Sequence, residues 1–274
     1  MALTVAVAAT GACCGGDDDD AGRASTGATT TTTAGSTAEA SGATTTAAPS
    51  TTAGGRSAAT TTASTVATTT TAAGAVPAAG LAFTPPGTYR YTTSGTFTTA
   101  LTGTEQRNGE AVLTVDPPSG TDQRSVRTAF GRTTEQVLRL AGGDALLVSL
   151  HLADQGVDKE VRPSPPGLAL PGDAAPGRSW SWRALSTDGM TTVESAFRVV
   201  RAEDVTVGAE RVPALVLEVV LTLTGDVAST SKQTLWVSTA RRLVVRQDDA
   251  TQGTLGLVTF SGTSSDVLVS LTPG

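Results

Sequence analysis

The residues able to do chemistry in this 274-residue chain are few and scattered. The one histidine, His151, has Asp154 and Asp158 close by along the chain. A histidine and a carboxylate are two members of a Ser-His-Asp triad, but the third must meet them in space. No G-x-S-x-G elbow, H-E-x-x-H pair or glycine-rich phosphate loop stands anywhere in the sequence. The two cysteines, Cys13 and Cys14, are adjacent and near the N-terminus, so a lone His151 has no thiol near it in sequence for a typical zinc site. Asp17 to Asp20 form an acidic run, which in flexible chain reads as solvated charge rather than a metal site. Trp180, Trp182 and Trp236 could line a ligand pocket, although aromatics on a half-buried strand more often pack a core. A net charge of −6 excludes a basic nucleic-acid footprint. The expectation is a non-enzymatic protein with no cofactor and no metal.

The chemistry that does stand out is at the start. Residues 1–12, MALTVAVAATGA, are a short apolar run ending in small residues just before a cysteine. This is the form of the end of a signal peptide, and it is shorter than the ~20 residues a spanning helix requires. Thr10-Gly11-Ala12-Cys13 resembles the lipobox of bacterial lipoproteins, with Thr10 where that family usually has Leu and no Lys or Arg ahead of the apolar run. The resemblance implies cleavage before Cys13 and acylation of Cys13, hence a membrane anchor on the outer face of the cell membrane with the rest of the chain extracellular. Each buried methylene adds ~0.8 kcal/mol to such an anchor. Plain secretory cleavage nearby is the alternative.

Residues 13–80 follow as the lipidation site and a linker of Thr, Ala, Ser and Gly. From 24 to 80 the charges are Glu39 and Arg56 alone, and there is no aromatic residue. Such a segment buries too little apolar surface to offset its ordering entropy, so disorder is expected. As a coil it spans roughly 40–45 Å. Its Thr/Ser content also suits O-glycosylation.

From residue 81 to 274 the pattern changes to period-two alternation. In Val212–Thr224, Leu215, Leu217, Val219, Leu221 and Leu223 share one face. Leu146, Val148, Leu150 and Leu152 do so in Asp144–Ala153, and Val193, Phe197 and Val199 in Thr192–Val200. Further strands are expected at 88–99, 110–115, 123–130, 134–140, 178–185, 232–238, 242–248, 254–261 and 265–271. The turn signals between them are Asn108-Gly109, Asp116-Pro117-Pro118, Gly142-Gly143, Asp188-Gly189, Gly225-Asp226 and Gly253. No amphipathic helix longer than two turns is evident. The fold class is mainly β: an antiparallel, strongly curved sheet or half-open β-barrel. The domain has no cysteine, so packing alone holds it.

The domain reads as two halves, 84–162 and 176–274, joined by the Pro-rich segment Pro163–Pro176. Each opens on Pro-Gly followed by two aromatics one residue apart: Tyr89 and Tyr91, then Trp180 and Trp182. Gln136, Leu138, Leu140, Leu146, Leu147 and Val148 match Gln233, Leu235, Val237, Leu243, Val244 and Val245 at constant spacing. Chance similarity between strands is the alternative to duplication.

In the second half, Trp180-x-Trp182, then Val207-Gly208-Ala209-Glu210-Arg211-Val212, then Leu235-Trp236-Val237 and Leu243-Val244-Val245 follow in order. This resembles the TapB-like lipoproteins of high-GC Gram-positive bacteria, over about 100 residues. Those are similar in layout to LolA/LolB-type carriers, half-open barrels around a lipid-sized cavity, whose helical lid has no counterpart in this pattern. The resemblance implies a domain that binds a lipid or other apolar ligand in the envelope. The alternative is a structural or protein-interaction module with no ligand cavity. A hydrolase, the third reading, requires a cleft joining His151 to a nucleophile and an acid.

Overall fold

The computed structural model describes residues 82–154 and 157–274. Among them are thirteen strands and no helix. The first set is β1 (Gly87–Thr99), β2 (Gly103–Val115), β3 (Asp122–Ala129), β4 (Arg132–Ala141), β5 (Asp144–Asp154), β6 (Val157–Val161) and β7 (Gly167–Leu170). The second is β8 (Ser179–Leu185), β9 (Thr191–Val207), β10 (Glu210–Gly225), β11 (Val227–Ser238), β12 (Leu243–Leu255) and β13 (Val258–Leu268).

All belong to one antiparallel sheet in the order β6-β5-β4-β3-β2-β1-β13-β12-β11-β10-β9-β8, with β7 paired to β5 off this path. The strands run as two meanders, β1–β6 and β8–β13, that share the β1–β13 ladder. Tight turns explain the meanders, since antiparallel neighbours can be joined by a few residues. The sheet curls until its edges meet at one seam. There Val161 bridges Ser186, and Thr187 N–H donates to Glu160 O at 2.8 Å.

One of the chain's two lysines clips that seam. Lys159 on β6 reaches Asp188 Oδ2 at 2.5 Å and Asp226 Oδ2 at 2.6 Å, in the turns after β8 and β10. Lys159 holds both carboxyls below the usual carboxylate range; hydrogen bonds from Ser186 and Met190 to Asp188, and from Thr191 to Asp226, add to this. Groups with depressed values add stability that is present above the unfolded pKa and lost as pH falls through the folded one. Lys159→Met is expected to speed amide exchange of Thr187 by on the order of tenfold at neutral pH. The difference from wild type should fade in acid, once Asp188 and Asp226 are protonated. Equal exchange at neutral pH would show the seam closed without the clip.

The buried apolar residues form two clusters. One joins Leu138, Leu147, Leu150 and Leu152 to Trp182, Phe197, Leu217, Leu221 and Leu235. The other joins Tyr89, Tyr91, Ala111 and Leu113 to Val212, Val216, Trp236 and Leu243. Strand β10 serves both: Leu215 and Leu217 face the first, Ala214 and Val216 the second. Burial on both faces explains its nearly continuous run of apolar residues.

The structure corrects several expectations. Asn108-Gly109 is not a turn; it lies inside β2, opposite Ser94 and Thr93. A Cβ on Gly109 would meet the Phe130 ring at 3.5 Å, an ordinary contact, so neither a bend nor a steric need accounts for this glycine. Gly253 likewise lies inside β12, where a Cβ would come within 2.6 Å of Phe260 Cζ; the turn is at Gly256-Leu257. The two strands expected at 254–261 and 265–271 are the single strand β13. Strands β6 and β7 lie outside the expected set, the latter inside the Pro-rich connection.

Leu146, Val148, Leu150 and Leu152 do not share a face. The β4–β5 register shifts so that Val148 is an extra residue, and Ala145, Leu147, Leu150 and Leu152 are the buried set. Val245 is the extra residue of β12 in the same way. Leu138 pairs with Leu147, and Val237 with Val244. The counterpart of Leu138 is thus Val237 rather than Leu235, because the second hairpin is two residues shorter beyond the bulge: Leu138 and Leu147 are nine positions apart, Val237 and Val244 seven.

Candidate functional site

Among the described residues, three arrangements carry the chemistry. The first is the set of tryptophans. Trp182 and Trp236 are buried, in the first and second apolar clusters respectively. Trp180 is half-buried against the first cluster and stacks on Phe197, with centroids 5.2 Å apart and planes 3° from parallel. Strand β8 places Trp180 and Trp182 opposite Phe197 and Ser195 of β9. Trp236 donates to Glu203 Oε1 from Nε1 at 2.5 Å and lies under the Arg246 guanidinium. The sequence-predicted aromatics therefore sit in two separate places rather than around one pocket.

The second arrangement is a charged interior that sequence reasoning missed. Strands β3, β4, β5, β12 and β13 turn Arg127, Arg132, Asp154, Asp249 and Asp266 inward. Arg127 Nη2 meets Asp266 Oδ2 at 2.6 Å, with side chains 9% and 4% exposed. The guanidinium lies 6.0 Å from the centre of the Tyr91 ring, whose hydroxyl donates to Val244 O at 2.9 Å. Arg132 Nε stands 3.9 Å from Asp154 Oδ2. Burial lowers the pKa of Arg132 and raises that of Tyr91, which stays a neutral phenol.

Among the described residues Asp249 forms no ion pair. The Ser231 and Thr251 hydroxyls donate to its two oxygens. Burial pushes its carboxyl up, against those hydroxyls and the more distant Arg132. A void of about 30 Å³ beside Arg132 and Asp249 is walled by Phe97, Arg107 and Phe130. That is far below the ~300 Å³ of the smallest usual ligand pockets.

A raised carboxyl destabilises the fold as pH rises from its unfolded value towards its folded one, since the native state holds the proton longer. Asp249→Asn removes that loss. The variant is expected to melt above wild type at pH 7 and level with it near pH 3. A variant less stable than wild type at pH 7 but level with it near pH 3 would show that the charge itself braces Arg132.

His151 sits on the outer face of β5, half in solvent, with Nε2 2.6 Å from Asp158 Oδ1. Its cross-strand neighbours are Glu135 and Glu160, so carboxylates rather than a nucleophile flank the ring. Asp154 points inward, away from it. No group of three or more His, Cys, Asp or Glu side chains suited to a metal occurs among the described residues. Cys13 lies outside the described residues.

The third arrangement is on the outside. At the ends of β1, β10, β11, β12 and β13 there is a groove of about 680 Å³, with Thr98, Thr222, Ala228, Thr230, Gln252 and Thr254 among its walls and Leu223 and Phe260 at its base. None of its lining residues is charged. A second hollow of about 360 Å³ shares Thr230, Gln252 and Ser261 with it and contains Lys232.

No protein-family profile matches the chain, and no curated protein sequence does. Among solved structures, the hypothetical lipoprotein YmcC from Escherichia coli is similar over 63% of this chain and 85% of its own, at 12% identity and a TM-score of 0.28.

Proposed function

We propose that this is a non-enzymatic lipoprotein, anchored through Cys13 to the outer face of the cell membrane, whose β domain is an interaction module of the envelope. The observation that supports the module is the filled interior. The sheet packs two apolar clusters, on opposite faces of β10, and beside them turns the charge network of Arg127, Arg132, Asp154, Asp249 and Asp266 inward. An acyl chain inside would have to displace packed side chains or lie against buried charges, and both are costly. Recognition then falls to the exterior.

The second reading is a small apolar ligand in the outer groove, which at about 680 Å³ is in the usual size range and has Leu223 and Phe260 at its base. Native mass spectrometry of protein extracted in mild detergent separates the two. The module predicts the mass of the acylated chain, with any glycan, and no further ligand. A stoichiometric lipid lost on Thr230→Arg would establish the ligand reading, and a stoichiometric lipid kept by that variant would place it in the interior and overturn the module. An unmodified Cys13 in the same spectra would overturn the anchor.

A further inference from the structure

We infer that the uncharged outer face at the ends of β1, β10, β11, β12 and β13 is where two copies of this chain associate. The inference deepens the reading of the domain as an interaction module, and rests on it.

The outside of the sheet is mostly laced with charge. Arg90 pairs with Glu110, Arg124 with Glu135, Arg139 with Asp122, Arg183 with Glu194 and Arg246 with Asp248. On one five-strand face that pattern stops. Thr98, Ser261, Gln252, Thr230 and Thr222 stand opposite one another in a single cross-strand row over β1, β13, β12, β11 and β10. The row below it runs Thr96, Thr263, Ala250, Lys232 and Val220, with one charge. The Thr96 and Thr263 hydroxyls are 3.0 Å apart and hydrogen-bond to each other across the strands.

This face has a hollow and a projection at the same end. The hollow is the groove of about 680 Å³. The projection is the turn between β12 and β13, where Leu257 is 102% exposed, beside Leu101 at 67% in the neighbouring turn. A leucine with no contact of its own, next to an uncharged hollow, is self-complementary about a two-fold axis: each copy's Leu257 enters the other's groove. The chain's net charge of −6 acts in the same direction. Two like-charged copies repel over most of their surfaces, and the uncharged face is where contact costs least. A single lysine is too little for an anionic surface. Phe260 is buried, so the groove offers a sugar ring no exposed aromatic face to stack on.

Five strands ~4.8 Å apart and two to three rows make a face on the order of 300 Å². A stable complex needs about 800 Å² per partner. The association is therefore weak in solution, half-dissociated on the order of 100 μM, and favoured where an anchor confines the copies to one surface.

Sedimentation equilibrium of the full chain from 5 μM to 1 mM tests this. A monomer–dimer equilibrium is expected in wild type. Leu257→Lys and Ala228→Glu change exposed residues, so melting temperatures should hold, and each variant alone should be at least tenfold weaker. Mixed in equal amounts, the two should regain association, because the lysine of one meets the glutamate in the groove of the other. A wild type that stays monomeric at 1 mM, a dimer that survives both substitutions, or a mixture that stays monomeric would each overturn the inference. Bound lipid in native spectra sinks the module reading whatever the oligomeric state, so the two failures are distinguishable.

Discussion

Arg127→Met is expected to destabilise the domain by about 3–5 kcal/mol, read as a fall in the urea midpoint with unchanged slope. The cause is what the substitution leaves behind. Asp266 is 3% exposed, its Oδ2 is bonded to Arg127, and its Oδ1 has no hydrogen-bond partner. Without the guanidinium a buried carboxylate faces the Tyr91 ring and the Gln247 side chain opposite it, and must either stay charged in a poor environment or take up a proton. Removing both partners is a different matter. In the double variant Arg127→Met, Asp266→Leu no charge is stranded, and apolar atoms of similar size occupy the space, so most of the loss should be recovered. A single variant within about 1 kcal/mol of wild type would show that water reaches Asp266, and that the interior is not closed as described.

That interior was the least legible part of the sequence, for a physical reason. Alternation identifies a strand when one face is apolar and the other polar. Here the inward parity itself changes character along a strand. On β12, Val244 packs in the apolar core, whereas Gln247, Asp249 and Thr251 follow it inward. On β11, Leu235 and Val237 continue the parity of Ser229, Ser231 and Gln233. A polar residue at an inward position looks the same in sequence as a polar residue at an outward one. Only the register, which sets Gln233 against Asp249 and Gln247 against Asp266, shows that these positions share a face. Bulges blur the signal further: at Val148 and Val245 the parity slips, so that a face inferred by counting in twos crosses to the other side.

What was legible is what local pattern controls. Strands β1, β8 and β10 are close to their expected spans, and the long connection at 162–178 does separate two sets of strands. The face of Leu215 to Leu223 is buried as expected. The glycines misled where they lie inside strands, Gly253 because its partner strand approaches too closely for a side chain. Gly109 and Gly253 occur in sequence contexts that read as turns, yet each sits in a strand beside an aromatic ring. The unmatched signal was cross-strand: a glycine opposite a bulky residue in a partner strand marks close approach as readily as a turn. The outer groove was also out of reach, since Thr96, Thr98, Thr222 and Thr230 read in sequence as ordinary solvent-facing strand residues, and only the ladder brings them side by side.

Trp182→Ala is expected to cost about 3–5 kcal/mol, the usual range for deleting a buried indole, because the aromatic closes the first apolar cluster at the seam. Trp182 is 8% exposed, and strand β7 lies directly on it: a Cβ built on Gly167 would come within 2.8 Å of Trp182 Cγ. The close approach makes a second, sharper test. Gly167→Val places methyl groups where the indole is, and overpacking of that kind costs typically 1–3 kcal/mol. In the Trp182→Ala background the same valine enters the space the indole has left, so the two losses should not add. The coupling energy of the cycle is expected to be favourable, in the range of 0.5–3 kcal/mol seen for residues in contact. Additive losses would separate Gly167 from Trp182 and leave the seam to Lys159, the Val161–Ser186 bridge and the Thr187–Glu160 bond. A Trp182→Ala variant as stable as wild type would return the indole to the role of a ligand-facing aromatic. The measured loss therefore decides between a residue that holds the two meanders together and one that waits for a partner.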